Sequence, residues 1–253
     1  MITKILTKHP LTSSRSQTEI FDSAFSVSST IHSILQRHDV LRHPFFQMWN
    51  CGGLSQETLK IYSCQFYHIV KMFPRMVSAV HSNTSELWVR QALLENLRAE
   101  EKGKEHFVEL WTRFAESLGV LRDELEHSQP SPKTKYLLEQ MSNFCRNRSS
   151  IEGIASLYAY EAQLPGILKL KMDGLQKYYH STEKRAIKFF AVRQEKDACH
   201  SSIELELISK NVNAENYAKV TYAAEATAYA FWKFLDGIME EYGKANKNSF
   251  KRL

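Results

Sequence analysis

Apolar residues recur at three- and four-residue intervals along most of this chain, which is the spacing of one face of an α-helix. The stretch after Ser55 shows this most clearly, and its apolar positions are Leu59, Tyr62, Phe66, Ile69, Phe73, Met76 and Val80. The chain has only nine glycines and six prolines in 253 residues, about half of the share in an average protein. Because few residues break helices and no segment alternates as a strand does, the pattern predicts an all-α protein.

Helix-breaking residues divide this pattern into seven or eight helices of a single domain. His43 precedes Pro44, and a residue before proline disfavours the helical conformation, so the first helix ends there. Gly103 separates two further helices, because glycine often caps a helix end. The predicted helices cover residues 31–42, 55–80, 86–101, 105–118, 132–147, 151–178, 181–210 and 214–242, with a short helical turn at 121–126.

Composition and charge limit the class of protein. The net charge is +5, but Lys and Arg are dispersed, so nucleic-acid binding is not expected. No apolar run approaches the roughly 18–20 residues that a membrane span needs. The four cysteines show no CxxC spacing and predict reduced thiols in a cytoplasmic protein.

The two ends of the chain differ from the middle in composition. Residues 1–30 are rich in Ser and Thr and are predicted to form a disordered leader, with secretion as an effector as the alternative localisation. Residues 31–243 are predicted to form the helical domain, and residues 244–253 a basic tail.

Polar residues at apolar positions of these helices are the candidates for function. Glu161 takes a core-facing position after Ile154 and Leu157, and Pro165 removes the N–H that would bond the Glu161 carbonyl. A buried carboxylate without a partner is costly. We therefore expect Glu161 either to bind a cation or to pair with a buried Lys or Arg.

A second set lies on one face of the helix predicted at 181–210. Phe190, Arg193, Asp197, His200 and Glu204 follow one another there at three- and four-residue spacing. Asp197 and His200 can place a carboxylate and an imidazole on one metal ion, like the Glu-x-x-His pairs of dimetal helix bundles. A chance occurrence of this short pattern is the alternative.

A third set surrounds Gly103. On one straight helix Glu100 and His106 would face different directions, but a break at Gly103 allows both side chains to turn inward. The alternatives are a solvated charged turn and a capping role for His106. Oxygen and nitrogen ligands on three inner-facing helices suit iron or manganese, so the three sets together predict a dinuclear metal site.

Two segments resemble a known protein family. They are Leu93-Leu-Glu-Asn-Leu-Arg-Ala-Glu-Glu-Lys-Gly103, followed by His106 and Leu110-Trp111, and Leu157-Tyr-Ala-Tyr-Glu-Ala-Gln-Leu-Pro165. They are similar to haem-oxygenase-like proteins related to thiaminase II and pyrroloquinoline-quinone synthase C, above all to the subgroup of the chlamydial protein associating with death domains. The resemblance spans residues 31–242 and implies a haem-oxygenase-like helical bundle with a buried dimetal centre that activates dioxygen.

The resemblance also implies a ligand set for iron or a manganese/iron pair. The matching positions are Glu100 (or Glu101), His106, Glu161, Asp197 and His200. The remaining ligand of the family is a histidine four residues before the aspartate, and this chain has Arg193 there. Because an arginine cannot ligate a metal and can pair with Asp197, two metals, one metal and none are all left open.

The chemistry implied by the resemblance is synthesis of 4-aminobenzoate, a folate precursor. In the chlamydial relatives one of the protein's own tyrosines is the ring source and a lysine is the amine donor. Lys171 matches that lysine, whereas Phe46 occupies the position of the tyrosine and lacks its phenolic oxygen. Tyr62 and Tyr160 are further candidates near the cavity, with ordinary core packing as the alternative.

Three classes of function therefore stay open. The first is a metal-dependent oxidase that uses dioxygen on a small molecule or on its own side chains. The second is a metal-free enzyme of the same fold, like pyrroloquinoline-quinone synthase C or the thiaminase II hydrolase. The third is a non-enzymatic death-domain partner or effector; a homodimer is a further expectation.

Overall fold

The computed structural model describes residues 17–179 and 184–250, except for the side chains of residues 17–26, 184, 195–199, 242 and 244–250. Over this part of the chain it contains eleven α-helices and no strand, so the all-α prediction is confirmed. The helices are α1 (Gln17–Arg37), α2 (Pro44–Asn50), α3 (Gln56–Ser82), α4 (Leu87–Glu101), α5 (Phe107–Ser117), α6 (Arg122–His127), α7 (Pro132–Asn147), α8 (Ser150–Glu161), α9 (Leu164–Lys177), α10 (Lys184–Asn211) and α11 (Tyr217–Phe250). A 3₁₀ turn covers Val40–Arg42.

Helix α3 lies at the centre of the bundle and packs against α4, α5, α7, α8 and α11. All seven apolar positions predicted for its inner face are buried. The Ser55 side chain caps the helix by accepting a hydrogen bond from the Thr58 N–H, the arrangement that its sequence predicts. Helix α10 contacts α4, α5, α8 and α9, and it therefore closes the space in which the candidate residues lie.

The first helix begins earlier than predicted. α1 starts at Gln17, inside the Ser/Thr-rich segment expected to be a disordered leader, and it ends at Arg37. One face of α1 is buried, since the side chains of Val27, Ile31 and Ile34 are at most 2% exposed. Its hydroxyl groups also find partners, since Ser28 and Thr30 bond Ser209 and Tyr217 at 3.1 and 2.7 Å. Residues 1–16 of the predicted leader lie outside the described residues.

The remaining differences concern where helices are interrupted and where they end. The helix predicted at 151–178 is divided into α8 and α9 around Ala162 and Gln163, because Pro165 in the first turn of α9 cannot continue the hydrogen-bond ladder. A short helix α2 follows His43, which the sequence prediction missed. Helix α11 extends to Phe250, into the predicted tail. None of the helices in the described ranges is long and apolar enough to cross a membrane.

Candidate active site

The break between α4 and α5 decides which glutamate turns inward. α4 ends at Glu101. Gly103, two residues further on, has a φ of +83°, a conformation that other residues rarely adopt. Glu100 is only 2% exposed, whereas Glu101 is exposed on the opposite side of the helix. Glu100 is therefore the inward carboxylate.

Glu161 lies at the end of α8, and its side chain is fully buried. The Asn96 side-chain amide on α4 donates a hydrogen bond to Glu161 Oε2 at 3.3 Å. The helix interruption before Pro165 places this carboxylate beside α4 and α10. Glu161 and Glu100 thus belong to one buried charged cluster, as their positions on predicted inner faces suggested.

Arg193 on α10 lies between the two glutamates. Its side chain is 2% exposed, with Nη2 3.2 Å from Glu100 Oε1 and 4.0 Å from Glu161 Oε1. The rings of Phe107 and Phe73 cover the guanidinium, with centroids 4.8 and 5.4 Å from Cζ. A permanent positive charge therefore occupies the middle of the cluster and offsets part of its negative charge.

His200 and Glu204 continue the cluster along α10. His200 is 8% exposed and its Nδ1 lies 3.8 Å from Glu161 Oε1. Glu204, one turn further on, is 2% exposed. Both residues line a small cavity together with Asn96. The cluster consequently contains three buried carboxylates from three helices, which is more negative charge than one guanidinium neutralises.

Glu100 shows the electrostatic effect of this crowding. Its pKa is raised from 4.5 to about 7, because burial and the charge of Glu161 together outweigh the opposing effect of Arg193. A carboxyl group with a pKa near neutrality exchanges a proton easily at physiological pH. Perturbed groups of this kind are typical of catalytic sites, although they also occur in structural ion-pair networks.

Two residues of the predicted ligand set are not placed in the cluster by the described contacts. The half-buried His106 caps α5, since its Nδ1 accepts a hydrogen bond from the Glu109 N–H at 3.3 Å. The side chain of Asp197 lies outside the described residues. The ligand roles of His106 and Asp197 stay predictions, while Glu100, Glu161 and His200 are brought together.

A second feature, which we call the aromatic cage, surrounds Lys171 on α9. The lysine is 1% exposed, and its Nζ donates a hydrogen bond to the Tyr62 hydroxyl. Five rings lie with their centroids 4.8–5.9 Å from Nζ, namely Phe46, Tyr62, Phe66, Trp111 and Phe190. The cage is therefore a dry aromatic compartment with a single amine inside it.

The charge state of Lys171 follows from this environment. Burial lowers its pKa well below 10.5, and the nearby charge of Arg193 lowers it further. Burial also raises the pKa of Tyr62 well above 10, and Tyr160 adds to this shift. The same burial thus favours the uncharged amine of Lys171 and the protonated phenol of Tyr62. Phe190 belongs to the cage and lies one turn before Arg193, so the cage and the cluster are neighbours.

Tyr160 packs between two rings of the core. Its centroid lies 5.3 Å from those of Phe73 and Phe231, and its side chain is 1% exposed. Phe73 also covers Arg193. Tyr160 thus lies in the wall that joins the cage and the cluster, and its assignment as a catalytic residue stays a prediction.

Comparison with known protein families decides the affiliation of the chain. Residues 32–241 match the TENA/THI-4/PQQC family. The chain belongs to the TENA/THI-4/PQQC family. This match covers nearly all of the predicted helical domain, and the resemblance inferred from the sequence is confirmed.

Relatives within the TENA/THI-4/PQQC family carry two kinds of name. A protein of Nitrosomonas europaea named 4-aminobenzoate synthase is 36% identical over 222 residues, covering 84% of this chain and 90% of its own. A Chlamydia trachomatis protein of the same name is 33% identical over 207 residues, covering 82% and 89%. A Bradyrhizobium protein named pyrroloquinoline-quinone synthase is 22% identical over 204 residues, covering 79% and 78%.

Solved structures support the fold. A TenA homologue from Pseudomonas syringae superposes with a TM-score of 0.75 at 15% identity, covering 92% of this chain and 98% of that one. A Shewanella denitrificans domain with a haem-oxygenase-like fold superposes with a TM-score of 0.69 at 18% identity, covering 91% of this chain and 95% of that one. At this level of identity the similarity concerns the fold alone. The predicted haem-oxygenase-like bundle is confirmed, with more helices than predicted.

The described donor atoms of this TENA/THI-4/PQQC family member do not by themselves form a site for two metal ions. Within residues 17–179 and 184–250, where the side chains are described, no group of three or more His, Cys, Asp or Glu residues is arranged to hold a metal. Arg193 stands between Glu100 and Glu161, in the space that a second cation would need. The predicted dinuclear centre therefore stays a prediction, and Arg193 is the feature that opposes it.

One metal ion fits better than two. Glu161 Oε1 and His200 Nδ1 are buried, have no hydrogen-bond partner in the described part of the chain, and lie 3.8 Å apart. These two atoms would be able to hold one metal ion, because carboxylate oxygens and imidazole nitrogens are ordinary ligands of manganese and iron. A further ligand would have to come from a side chain beyond the described ones, such as Asp197, or from water.

Sequence reasoning missed one member of this cluster. Asn96 bonds Glu161, but a single asparagine on an inner helix face carries no distinctive pattern. Glu204 was placed on the face of Asp197 and His200 by its spacing, but it was given no role. The aromatic cage joins residues from α2, α3, α5, α9 and α10, so no local pattern reveals it.

Proposed function

We propose that this protein is an oxidase of the 4-aminobenzoate synthase type in which the amine of Lys171 supplies the nitrogen atom. The identity with relatives of that name supports the reaction class. The observation that carries the proposal is the amine of Lys171, which is buried in an aromatic cage beside the charged cluster, where burial lowers its pKa. A neutral amine has the free electron pair that nitrogen transfer requires, and an ammonium group does not.

Other residues of the cage prepare this amine. Tyr62 orients Nζ through their hydrogen bond. Phe66 and Trp111 exclude water from the amine. Because an ammonium group is poorly stabilised without water, this favours the uncharged form of Lys171. The positive charge of Arg193 acts in the same direction. These contributions all favour the uncharged amine over the ammonium form.

The charged cluster is the proposed site of dioxygen chemistry. Glu161 and His200 would hold one iron or manganese ion, which when bound would activate dioxygen, with an external reductant as the source of the remaining electrons. Glu100, with a pKa of about 7, can hold or release a proton beside that site. Arg193 stabilises negative charge in the cluster without a second metal ion.

The aromatic ring of the product needs a source other than residue 46. Phe46 lies against Lys171 with its centroid 5.5 Å from Nζ, where the resemblance expects a tyrosine. Because phenylalanine has no phenolic oxygen, we propose that a small aromatic molecule or another tyrosine of this chain replaces it.

An isotope experiment tests the proposal. The protein is labelled with ¹⁵N-lysine, loaded with iron or manganese, and given reductant and oxygen; mass spectrometry then measures 4-aminobenzoate. We expect labelled product from the wild type and none from Lys171→Met. Lys169→Met is the matched control, because Lys169 is exposed on the same helix. Unlabelled product, or no product from the wild type under any of these conditions, would refute the proposal.

Arg193 favours a second candidate function, a metal-free enzyme of the same fold. A guanidinium between two buried carboxylates supplies positive charge that a metal ion otherwise provides. The pyrroloquinoline-quinone synthases among the relatives are more distant, at 22% identity. Product formation that persists after dialysis against a chelator would favour this candidate over the metal-dependent one.

A hydrolase and a non-enzymatic binding protein have less support. A thiaminase II-like hydrolase needs a reactive thiol, but burial raises the pKa of Cys145 and of Cys64 above 9.0, so neither thiol ionises readily. A death-domain partner and a homodimer stay predictions. Pull-down with receptor death domains and size-exclusion chromatography with light scattering test them.

A further inference from the structure

A groove lies on the outer side of α3 and α4, away from the charged cluster. Its volume is about 400 Å³, within the roughly 300–1,000 Å³ typical of small-molecule sites. The polar and charged side chains that line it are Arg75, Ser78, Ser82, Asn83, Glu101 and Arg146. The roles proposed above for the cluster and the cage involve none of these residues.

Three helices build the groove and hold its walls in place. Arg75, Ser78 and Ser82 follow at three- and four-residue spacing on α3 and therefore share one face. The Asn83 side-chain amide donates hydrogen bonds to the carbonyl oxygens of Cys145 and Arg146, both at 3.1 Å. This link fixes the end of α7 against the end of α3. Glu101 closes the opposite wall from the last residue of α4.

The charged groups of the groove are not paired with one another. Within the described part of the chain, no oppositely charged group lies within 4.0 Å of Arg75, Arg146 or Glu101. By contrast, Arg98 and Glu95 on the neighbouring surface of α4 approach to 3.1 Å. Two cations and one anion thus face the same cavity across open space, with a net charge of +1.

We infer that this groove binds a small amphoteric molecule with a carboxylate at one end and an ammonium group at the other. The carboxylate lies between Arg75 and Arg146, because guanidinium groups bind carboxylates through paired hydrogen bonds. The ammonium group faces Glu101, and the hydroxyls of Ser78 and Ser82 bond the middle of the ligand. The net charge of the groove favours a ligand with one excess negative charge, such as an acidic amino acid.

The groove is separate from the proposed catalytic chemistry. Glu101 faces it while Glu100 faces the cluster, since neighbouring residues point in different directions on a helix. Binding to the groove is therefore measurable by itself, whether or not the protein proves to be an oxidase.

Isothermal titration calorimetry of the full chain at low ionic strength, with two probes, tests the inference. L-glutamate has a carboxylate at the end of its side chain and, at the other end, an ammonium group next to a second carboxylate. Glutarate lacks only the ammonium group. We expect L-glutamate to bind about fivefold more tightly than glutarate. Arg75→Gln and Arg146→Gln should each weaken the binding of both probes about fivefold or more. Glu101→Gln should remove the difference between the two probes.

Arg148→Gln provides the matched control. Arg148 is exposed near the same helix end but does not line the groove, so this variant should bind L-glutamate like the wild type. All four substituted side chains are exposed, and circular dichroism confirms that each variant is folded. The inference is wrong if L-glutamate does not bind the wild type, if glutarate binds equally well, or if Arg148→Gln weakens binding as much as Arg75→Gln.

Discussion

Arg193 Nη2 lies 3.2 Å from Glu100 Oε1 in the interior of the bundle, where both side chains are at most 2% exposed. In this chain the arginine takes the position at which the family resemblance expects a histidine ligand. A positive side chain there neutralises part of the negative charge of the cluster, so the cluster attracts metal cations less strongly. The number of metal ions bound and the stability of the metal-free protein both depend on this pair.

Replacement of Arg193 by histidine should increase the metal content. Arg193→His removes the guanidinium from the space between Glu100 and Glu161 and adds a nitrogen ligand, so we expect about one additional ion per chain. Elemental analysis after loading with iron and manganese measures this. Arg185→His is the control, because Arg185 is exposed on the same helix and pairs with Glu116. An unchanged metal content would show that Arg193 does not occupy a lost ligand position.

Removal of the same charge without a ligand should destabilise the metal-free protein. Arg193→Met leaves Glu100 and Glu161 buried without their cation, which costs about 3–5 kcal/mol for a buried pair. Denaturant unfolding in the presence of a chelator measures the change. A loss below about 1 kcal/mol, the value typical of a surface pair, would contradict the role assigned to Arg193.

The stability contribution of Lys171 should depend on pH. Burial lowers its pKa in the folded state well below the unfolded value of 10.5. Between these two values the unfolded chain binds a proton that the folded one does not, so the lysine destabilises the fold increasingly as pH falls below 10.5. Lys171→Met, which conserves volume, should therefore gain more stability relative to the wild type at pH 7 than at pH 10.

Unfolding of both proteins at the two pH values measures this difference. Lys169→Met, at an exposed position of α9, controls for the removal of one lysine. If the advantage of Lys171→Met over the wild type is the same at pH 7 and pH 10, Lys171 is not a neutral amine in the folded protein.

The close approach of α9 to α2 should not tolerate a side chain at Gly174. A Cβ at this position would lie 2.6 Å from Cδ1 and Nε1 of Trp49, whose indole also donates a hydrogen bond to the Lys171 carbonyl at 3.3 Å. We expect Gly174→Ala to lose about 1–3 kcal/mol of stability. At Gly243 on α11 an added Cβ meets no atom of the described part of the chain within 4 Å, so Gly243→Ala should gain up to about 1 kcal/mol. Thermal unfolding distinguishes the two, and equal effects would contradict the packing described here.

The sequence predicted the parts of the site that follow helical periodicity. Glu161 and His200 were found because each occupies an apolar position of a regular stripe, and Gly103 indicated the break that turns Glu100 inward. The sequence could not show whether Glu100 or Glu101 turns inward, because this depends on how α4 is oriented against the neighbouring helices. The placement of Lys171 required tertiary contacts, because its cage joins five helices that are far apart in the chain.

The errors in the fold have physical reasons as well. Ser28 and Thr30 made the start of α1 look like a disordered leader, but they bond residues of α10 and α11 that no local pattern reveals. Pro165 was placed inside one predicted helix, at 151–178, and instead it separates α8 from α9. Local sequence indicates that a helix is perturbed, whereas packing determines whether it bends or ends.

The metal content of the wild type and of Glu161→Ala, measured by elemental analysis after loading with iron and manganese, tests the central claim most directly. The account predicts about one ion per chain in the wild type, because Arg193 excludes a second, and none in Glu161→Ala. Glu101→Ala is the control and should keep its ion, since Glu101 faces the outer groove. Two ions in the wild type, or an ion retained by Glu161→Ala, would contradict it.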